Sequence, residues 1–383
     1  MIKTRTEIII CGDLCPTNDT LPFFEEQNES SLFNDVLPIF QNADFVMGNM
    51  EFVLTDNPKS ILKAGPVLWG KIRYINIFKN AGFHLLSLAN NHIKDCGSSG
   101  VQSSLEACEQ AGIAILGAGK NLQEAKKSYI KIINGWKIGF FAFAEQEFNV
   151  ATDSDYGANY LDPYEDLDAI RSLKKQVDFV IVIYHGGIEY YEYPSPLLQK
   201  KCRKFIDKGA DLVTCQHSHC IGTIENYLSK KIIYGQGNTL FGYRKNDESW
   251  NQGLLLKLIL SEDNEGLEVN YIPVEATPSG IKVMNNENVT KLLSLLQEKS
   301  KYTEDFTFIQ NSWEAFCSRK KQSYMPYLLG FNRFLIHFNR ITKNGLVFFL
   351  FRKKYIRTSS NIIRCEAHNE VIQTILKEYL NHK

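Results

Sequence analysis

Residues 209–220 read GADLVTCQHSHC, an apolar run of strand length closed by two histidines one residue apart. A short run of consecutive apolar residues fits a strand buried on both faces. His217 and His219 lie just past its carboxyl end, where they either mark the end of the strand or bind a metal. The same pattern recurs along the chain: EIIIC (7–11) precedes GDL, DFVM (44–47) precedes GNME, and HLLSLA (84–89) precedes NNH. GFFAFA (139–144) precedes EQE, and DFVIVIY (178–184) precedes HGGIE. Between these runs lie segments of helical period, 31–41, 71–82, 99–112, 166–176 and 194–209, several of which end at glycine as helix C-caps do. Strand alternating with helix predicts an α/β protein. In such a fold, loops at the carboxyl ends of the strands assemble the site. After residue 241 two further strand-like stretches, 253–260 and 266–276, are expected to close a sheet with antiparallel edges.

Composition narrows the functional classes. With 383 residues, 44% hydrophobic and 22% charged, the chain can bury a large core. Lys+Arg and Asp+Glu both number 43, so no global charge points to nucleic acid, and none is expected as partner. The balance is uneven, because residues 312–383 hold thirteen Lys/Arg against four Asp/Glu. This basic part is either a solvated face or a contact for phosphate groups or an anionic membrane surface. Nine cysteines without regular spacing argue for free thiols and a cytoplasmic setting. The N-terminal run IIIC is too short for a signal-peptide core, and GLVFFLF (345–351) is too short to span a membrane. Followed by RKK, the latter fits either a surface-lying amphipathic segment or core. The expected division is a site-bearing domain at 1–284 and a helical, basic, aromatic-rich extension at 285–383.

The residue types at the strand ends carry the chemistry. Asp13, Asn49, Glu51, Asn91, His92, His185, Glu189, His217 and His219 are carboxylates, amides and imidazoles, a donor set that suits Mn, Fe or Zn. Taken singly, Asp13 also reads as a turn former or helix N-cap, Asn90-Asn91-His92 as a turn, and His185 as a residue under the tight Gly186-Gly187 turn. Taken together, in order and each at a strand end, they point to divalent metal ions, a pair needing about six to eight such ligands. YYEYPSP (190–196) supplies aromatic surface that fits either a substrate groove or packing.

The stretches GDLCP, GNME, LANNHIKDCG, HGGIEY, GADLVTCQHSHCIG and IIYGQGNTLF, covering roughly residues 6–245 in order, resemble the motifs of the CapA family of poly-γ-glutamate capsule biosynthesis proteins. That bacterial family belongs to the calcineurin-like metallophosphoesterase superfamily. The resemblance implies a four-layer α/β/β/α sandwich with a mainly helical C-terminal extension. It implies two divalent metals: Asp13 and His219 on the first, Asn91, His185 and His217 on the second, and Glu51 bridging, with Asn49 accessory. His92 would steady or protonate the leaving oxygen, and Glu189 would be a nearby acid–base carboxylate. The implied function is a metal-dependent hydrolase using a metal-activated water on a phosphoester or γ-glutamyl bond, in capsule or surface-polymer biosynthesis. The alternative is a non-catalytic polymer-binding or assembly component, peripheral at the inner membrane face or docked on capsule machinery through its basic part. Two departures stand out. Cys15 occupies the place of the superfamily's first-motif histidine, and Gln216 precedes His217 where glycine is usual.

Overall fold

Alternation within the strands shows what each face is buried against. In Trp136–Ala144 and Phe179–His185, residues Phe140, Ala142, Ala144, Ile181 and Ile183 join one core. Their neighbours Phe141, Phe143, Val180, Val182 and Tyr184 join another, with Phe205 and Cys202 from helix Pro196–Asp207 and Ile170 from helix Asp166–Lys174. A period of two with both faces apolar requires cover on both sides. Here one cover is a second sheet. The Phe45 and Phe140 rings, one from each sheet, stack with centroids 5.6 Å apart. Helices also cover the far face of that other sheet, where Phe33, Phe40, Phe78 and Phe83 interlock edge to face or tilted at 5.2–6.1 Å. The result is the four-layer α/β/β/α sandwich that the family resemblance implied.

The computed structural model describes residues 2–17, 19–262, 266–350 and 353–381. In the first sheet Thr6–Leu14, Phe45–Met50, Leu85–Ser87 and Ala114–Leu116 run parallel, in that spatial order. Gln252–Leu260, Glu268–Thr277 and Gly280–Val283 extend it antiparallel from the Thr6–Leu14 side, as the two late apolar stretches predicted. In the second sheet Trp136–Ala144, Phe179–His185, Leu212–Gln216 and Lys230–Ile233 are parallel, with antiparallel edges at Tyr129–Ile133 and Ile224–Tyr227.

The predicted helices form with one exception. Segment 31–41 breaks into Glu29–Phe33, a turn of 3-10 helix and Leu37–Asn42, because Asn34 adopts φ 43° and Pro38 opens the second piece. The chain separates into two units, 1–310 and 311–383. Helix Asn286–Ser300, expected to open the extension, is therefore part of the first unit. It is tied there by Lys299 to Glu192 at 2.6 Å and by Ser300 Oγ, which accepts from the Ile224 amide. The second unit is helical, with Arg333–Ile341, Gly345–Leu350, Lys353–Arg364 and Glu366–Asn381. Of the GLVFFLF-RKK stretch, Phe351 and Arg352 lie outside the described residues. No helix among the described residues is long and apolar enough to cross a membrane.

The parallel strands of both sheets end on one side, and a bulge adjusts the most important of them. The pairing of Thr6–Leu14 with Phe45–Met50 shifts register between Ile10 and Asp13. Such a bulge re-aims a side chain, here Asp13. It needs a glycine at position 12, because a Cβ there would lie 2.5 Å from the Gly237 carbonyl oxygen. Gly12→Ala is therefore expected to force the backbone apart and destabilise the fold by about 1–3 kcal/mol. Urea denaturation monitored by circular dichroism measures this, and an unshifted midpoint would contradict the close approach.

Candidate metal centre

Glu51 follows the Phe45–Met50 strand and is completely buried, yet neither of its carboxylate oxygens has a hydrogen-bond partner. Two groups of ligand atoms converge on it, each lying within 4.8 Å of one another. One is Glu51, His185 and His217; the other is Asp13, Glu51 and His219. Four strand ends from the two sheets thus meet at a carboxylate common to both groups. Asn91 adds a donor to the first group, its Oδ1 standing 3.0 Å from His185 Nε2.

The neighbours fix these side chains. Asn49 Nδ2 donates to Asp13 Oδ1 at 2.8 Å and stands 3.0 Å from His185 Nδ1, while Asn49 Oδ1 accepts from Asn90 Nδ2 at 3.0 Å. Asn49 therefore positions two members of the cluster and has its oxygen engaged elsewhere. Asp13 Oδ2 accepts from the His217 amide at 3.0 Å. His219 Nδ1 lies 2.8 Å from Asn238 Oδ1, a contact in which the imidazole donates and Nε2 is left free. Both histidines hold left-handed backbone, φ 91° at His217 and 50° at His219. Non-glycine residues rarely adopt it, and it persists where surrounding structure over-determines it, typically at sites.

Burial sets the electrostatics. Desolvation, with Glu51 as a like charge, pushes Asp13 up to about 7. Desolvation pushes Glu51 to about 8, against the opposing charge of His92 and with the like charge of Glu189. Burial holds His185 below the usual imidazole range, His217 well below it, and His219 down to about 3. Neutral imidazoles are what a metal requires.

A divalent cation fits this set. A buried carboxylate with two unpartnered oxygens, beside the unpartnered Nδ1 of His217, is costly unless a cation satisfies it. The mixed carboxylate and imidazole donors suit Mn, Fe or Zn. Asp13, Glu51, Asn91, His185, His217 and His219 would hold it.

Other expected residues fall into different places. His92 is buried next to the cluster, its Nε2 4.0 Å from Glu51 Oε1 and its Nδ1 2.6 Å from Asp95 Oδ2. The other Asp95 oxygen pairs with Lys63, whose side chain is also buried. Sequence reading missed Asp95 and Lys63. Asp95 had a signal, three residues past His92 in NHIKD, whereas Lys63 had none. Glu189 is exposed and outside both ligand groups, and it reaches the cluster only through its charge on Glu51. Cys15 is also outside both groups, its thiol pushed well above the ordinary range by burial and by Glu51, Asp95 and Asp13. Gln216 is structural, donating to the Cys11 carbonyl and to Gln236 Oε1, each at 3.1 Å. Of the YYEYPSP aromatics, Tyr193 packs on Phe308, while Tyr190 is exposed beside His219.

The family model described as the bacterial capsule synthesis protein PGA_cap matches residues 7–243, the span that carries every one of these ligands. The chain belongs to this family. It is similar to the capsule biosynthesis protein CapA of Bacillus anthracis, 30% identical over 257 residues that make up 65% of this chain and 61% of that protein. It is likewise similar to the PGA biosynthesis protein CapA of Bacillus subtilis strain 168, 31% identical over 314 residues, 78% of this chain and 81% of the other. The chain thus spans less than two thirds of the first relative and more than two thirds of the second. A solved structure described as a novel phosphatase from Mycoplasma pneumoniae is similar at a TM-score of 0.45 and 13% identity, over 77% of this chain and all of the other.

The raised carboxylates and lowered imidazoles of this PGA_cap chain act on stability with opposite signs. Histidines whose folded pKa is depressed stabilise above their ordinary 6.5 and lose that contribution as pH falls below it. Carboxylates whose folded pKa is raised stabilise below their ordinary values of about 4, and lose that contribution as pH climbs to about 7 for Asp13 and about 8 for Glu51. Between pH 6.5 and 8 only the second effect remains. Metal-free protein should therefore lose thermal stability across that interval. Added Mn²⁺ should restore it, most at pH 8, with protons released on binding. Differential scanning calorimetry in chelator and in Mn²⁺ reads this directly, and a metal-free midpoint that rises from pH 6.5 to 8 would contradict the buried carboxylates.

Proposed function

We propose that the protein is a metal-dependent hydrolase acting on a phosphoester or γ-glutamyl bond in the making of a bacterial surface polymer. The observation that carries this reading is the shared, buried, unpartnered Glu51 carboxylate beside a histidine already oriented by an aspartate. Divalent metals held by the two groups would supply Lewis acidity and an activated water.

The remaining steps belong to side chains of this chain. Asp95 takes the Nδ1 hydrogen of His92, which turns Nε2 toward the Glu51 side of the cluster and stabilises the imidazolium when Nε2 carries a proton. Lys63 neutralises Asp95, so the dyad is buried without an uncompensated charge. His92 Nε2 is then the group that hands a proton to the departing oxygen or nitrogen. Asn49 keeps Asp13 and His185 in register, and Asn91 borders the side of His185 that faces away from Asn49.

The PGA biosynthesis protein CapA of B. subtilis supports a polymer context for this chain. A γ-glutamyl polymer and a phosphoester intermediate of polymer assembly both present an electrophile that such a centre can attack. The thirteen Lys/Arg of residues 312–383 support a contact of that part with capsule machinery or a membrane face.

The test is hydrolysis by Mn²⁺-loaded protein of 4-nitrophenyl and alkyl phosphoesters and of γ-glutamyl peptides. His92→Ala should cut kcat by about 10²–10⁴-fold on the substrate turned over. The loss should be larger for an alkyl than for a 4-nitrophenyl leaving group, because nitrophenolate departs without a proton. Bound metal with no turnover on any of these substrates would sink the hydrolase and leave a polymer-binding assembly component.

A further inference from the structure

Beside the Asp13, Glu51 and His219 group, residues 242–251 form a loop braced at many points. The Asn251 side chain accepts from the Arg244 amide at 2.8 Å and donates to the Arg244 carbonyl at 2.7 Å. Asp247 Oδ1 accepts from the Trp250 amide, and Trp250 Nε1 donates to the Gly242 carbonyl, each at 3.1 Å. The loop is thereby fixed before any ligand arrives. The buried Trp250 packs on His219, with centroids 4.8 Å apart, and on Phe241 at 5.3 Å. Asn238 links this platform to the metal centre, since its oxygen takes His219 Nδ1 and its amide donates to the Trp250 carbonyl at 2.9 Å.

On the Trp250 ring lies the guanidinium of Arg244, 3.0 Å from the centroid. One of its nitrogens donates to the Tyr190 hydroxyl at 3.1 Å. Tyr190 is fastened to the same centre from the opposite loop. Its backbone is left-handed, φ 60°, and its amide donates to the carbonyl of Ser218, the residue between His217 and His219. Arg244 itself is exposed, and among the described residues no carboxylate stands within ion-pair distance of it. A cation spread on an indole and braced by a phenol, with other donors uncommitted, is arranged for an external anion.

We propose that Arg244, laid on Trp250 and braced by the Tyr190 hydroxyl, receives a second anionic group of the bound molecule, a carboxylate or phosphate other than the group lodged at the metal centre. This rests on reading the cluster around Glu51 as the place where the reacting group sits. The site then selects molecules with two anions a fixed distance apart, and Trp250 and Asn238 set that distance from His219.

Calorimetric titration of the Mn²⁺-loaded full chain tests this with three probes: γ-linked triglutamate, propane-1,3-diol bisphosphate, and dimethyl phosphate as the single-anion reference. Wild type should bind one two-anion probe more tightly than the reference. Arg244→Gln should reduce that ratio roughly tenfold or more, as loss of charge-assisted hydrogen bonds does. Arg244→Lys should recover part of the ratio, and Tyr190→Phe should lower it less. The probe that responds identifies carboxylate or phosphate as the second anion. A ratio that Arg244→Gln leaves unmoved, or a wild type that prefers neither two-anion probe, overturns the proposal. A ratio that responds without turnover on any substrate keeps the anion site and removes the hydrolase. Failure to bind Mn²⁺ at all overturns both.

Discussion

A carboxylate buried on every side with neither oxygen hydrogen-bonded is expensive, and Glu51 is such a group. The fold surrounds it with imidazoles that burial keeps neutral rather than with a lysine or arginine that would satisfy it. Among the described residues the buried cation nearby, Lys63, is committed to Asp95. Such a centre is stable only when protonated or when a metal supplies the missing charge. The sandwich makes this possible by bringing carboxyl ends of two parallel strand sets to one side, so that donors from four loops reach a single point without a dedicated domain.

Holding those donors requires backbone that the residues themselves disfavour. Tyr190, His217 and His219 all take left-handed φ, each costing of order 1–3 kcal/mol. The compensating contacts come from the site: Asp13 accepts the His217 amide, and Ser218 accepts the Tyr190 amide. Asp13 thus both joins the cluster around Glu51 and anchors backbone, and the bulge at Gly12 lets one side chain do both. The interactions that hold this strained backbone are the ones that shape the centre.

The alternation of apolar runs with helical segments was enough to read an α/β protein, the four layers following from the family resemblance, and the strand-end loops held the carboxylates and imidazoles that the structure brings together. GLLLKLIL and GLEVNYIPVEA also read correctly as antiparallel additions, with Gly280–Val283 beyond them at the edge. What could not be read depends on long-range contact. Lys63 lies in an irregular segment and acquires meaning only by meeting Asp95. Asn238 looks like one more polar residue in GQGNTLF until it bridges His219 and Trp250. Arg244 is unremarkable in sequence, since stacking on an indole six residues away is a property of the loop, not of a motif. The division after Gln310 was hidden because the polar helix Asn286–Ser300 shows few of the apolar positions that hold it to the first unit.

The Cys15 departure makes the two ligand groups unequal. Glu51, His185 and His217 have Asn91 at hand, whereas Asp13, Glu51 and His219 gain nothing from Cys15. Three acidic neighbours and complete burial keep that thiol protonated, and a protonated thiol is a poor ligand. Asp13 is further drawn on by Asn49 and the His217 amide, so its oxygens are partly spent. A cation on the Asp13 side would meet fewer donors than one on the His185 side. The asymmetry follows from a single side chain: a histidine at position 15 would add the donor that the thiol withholds.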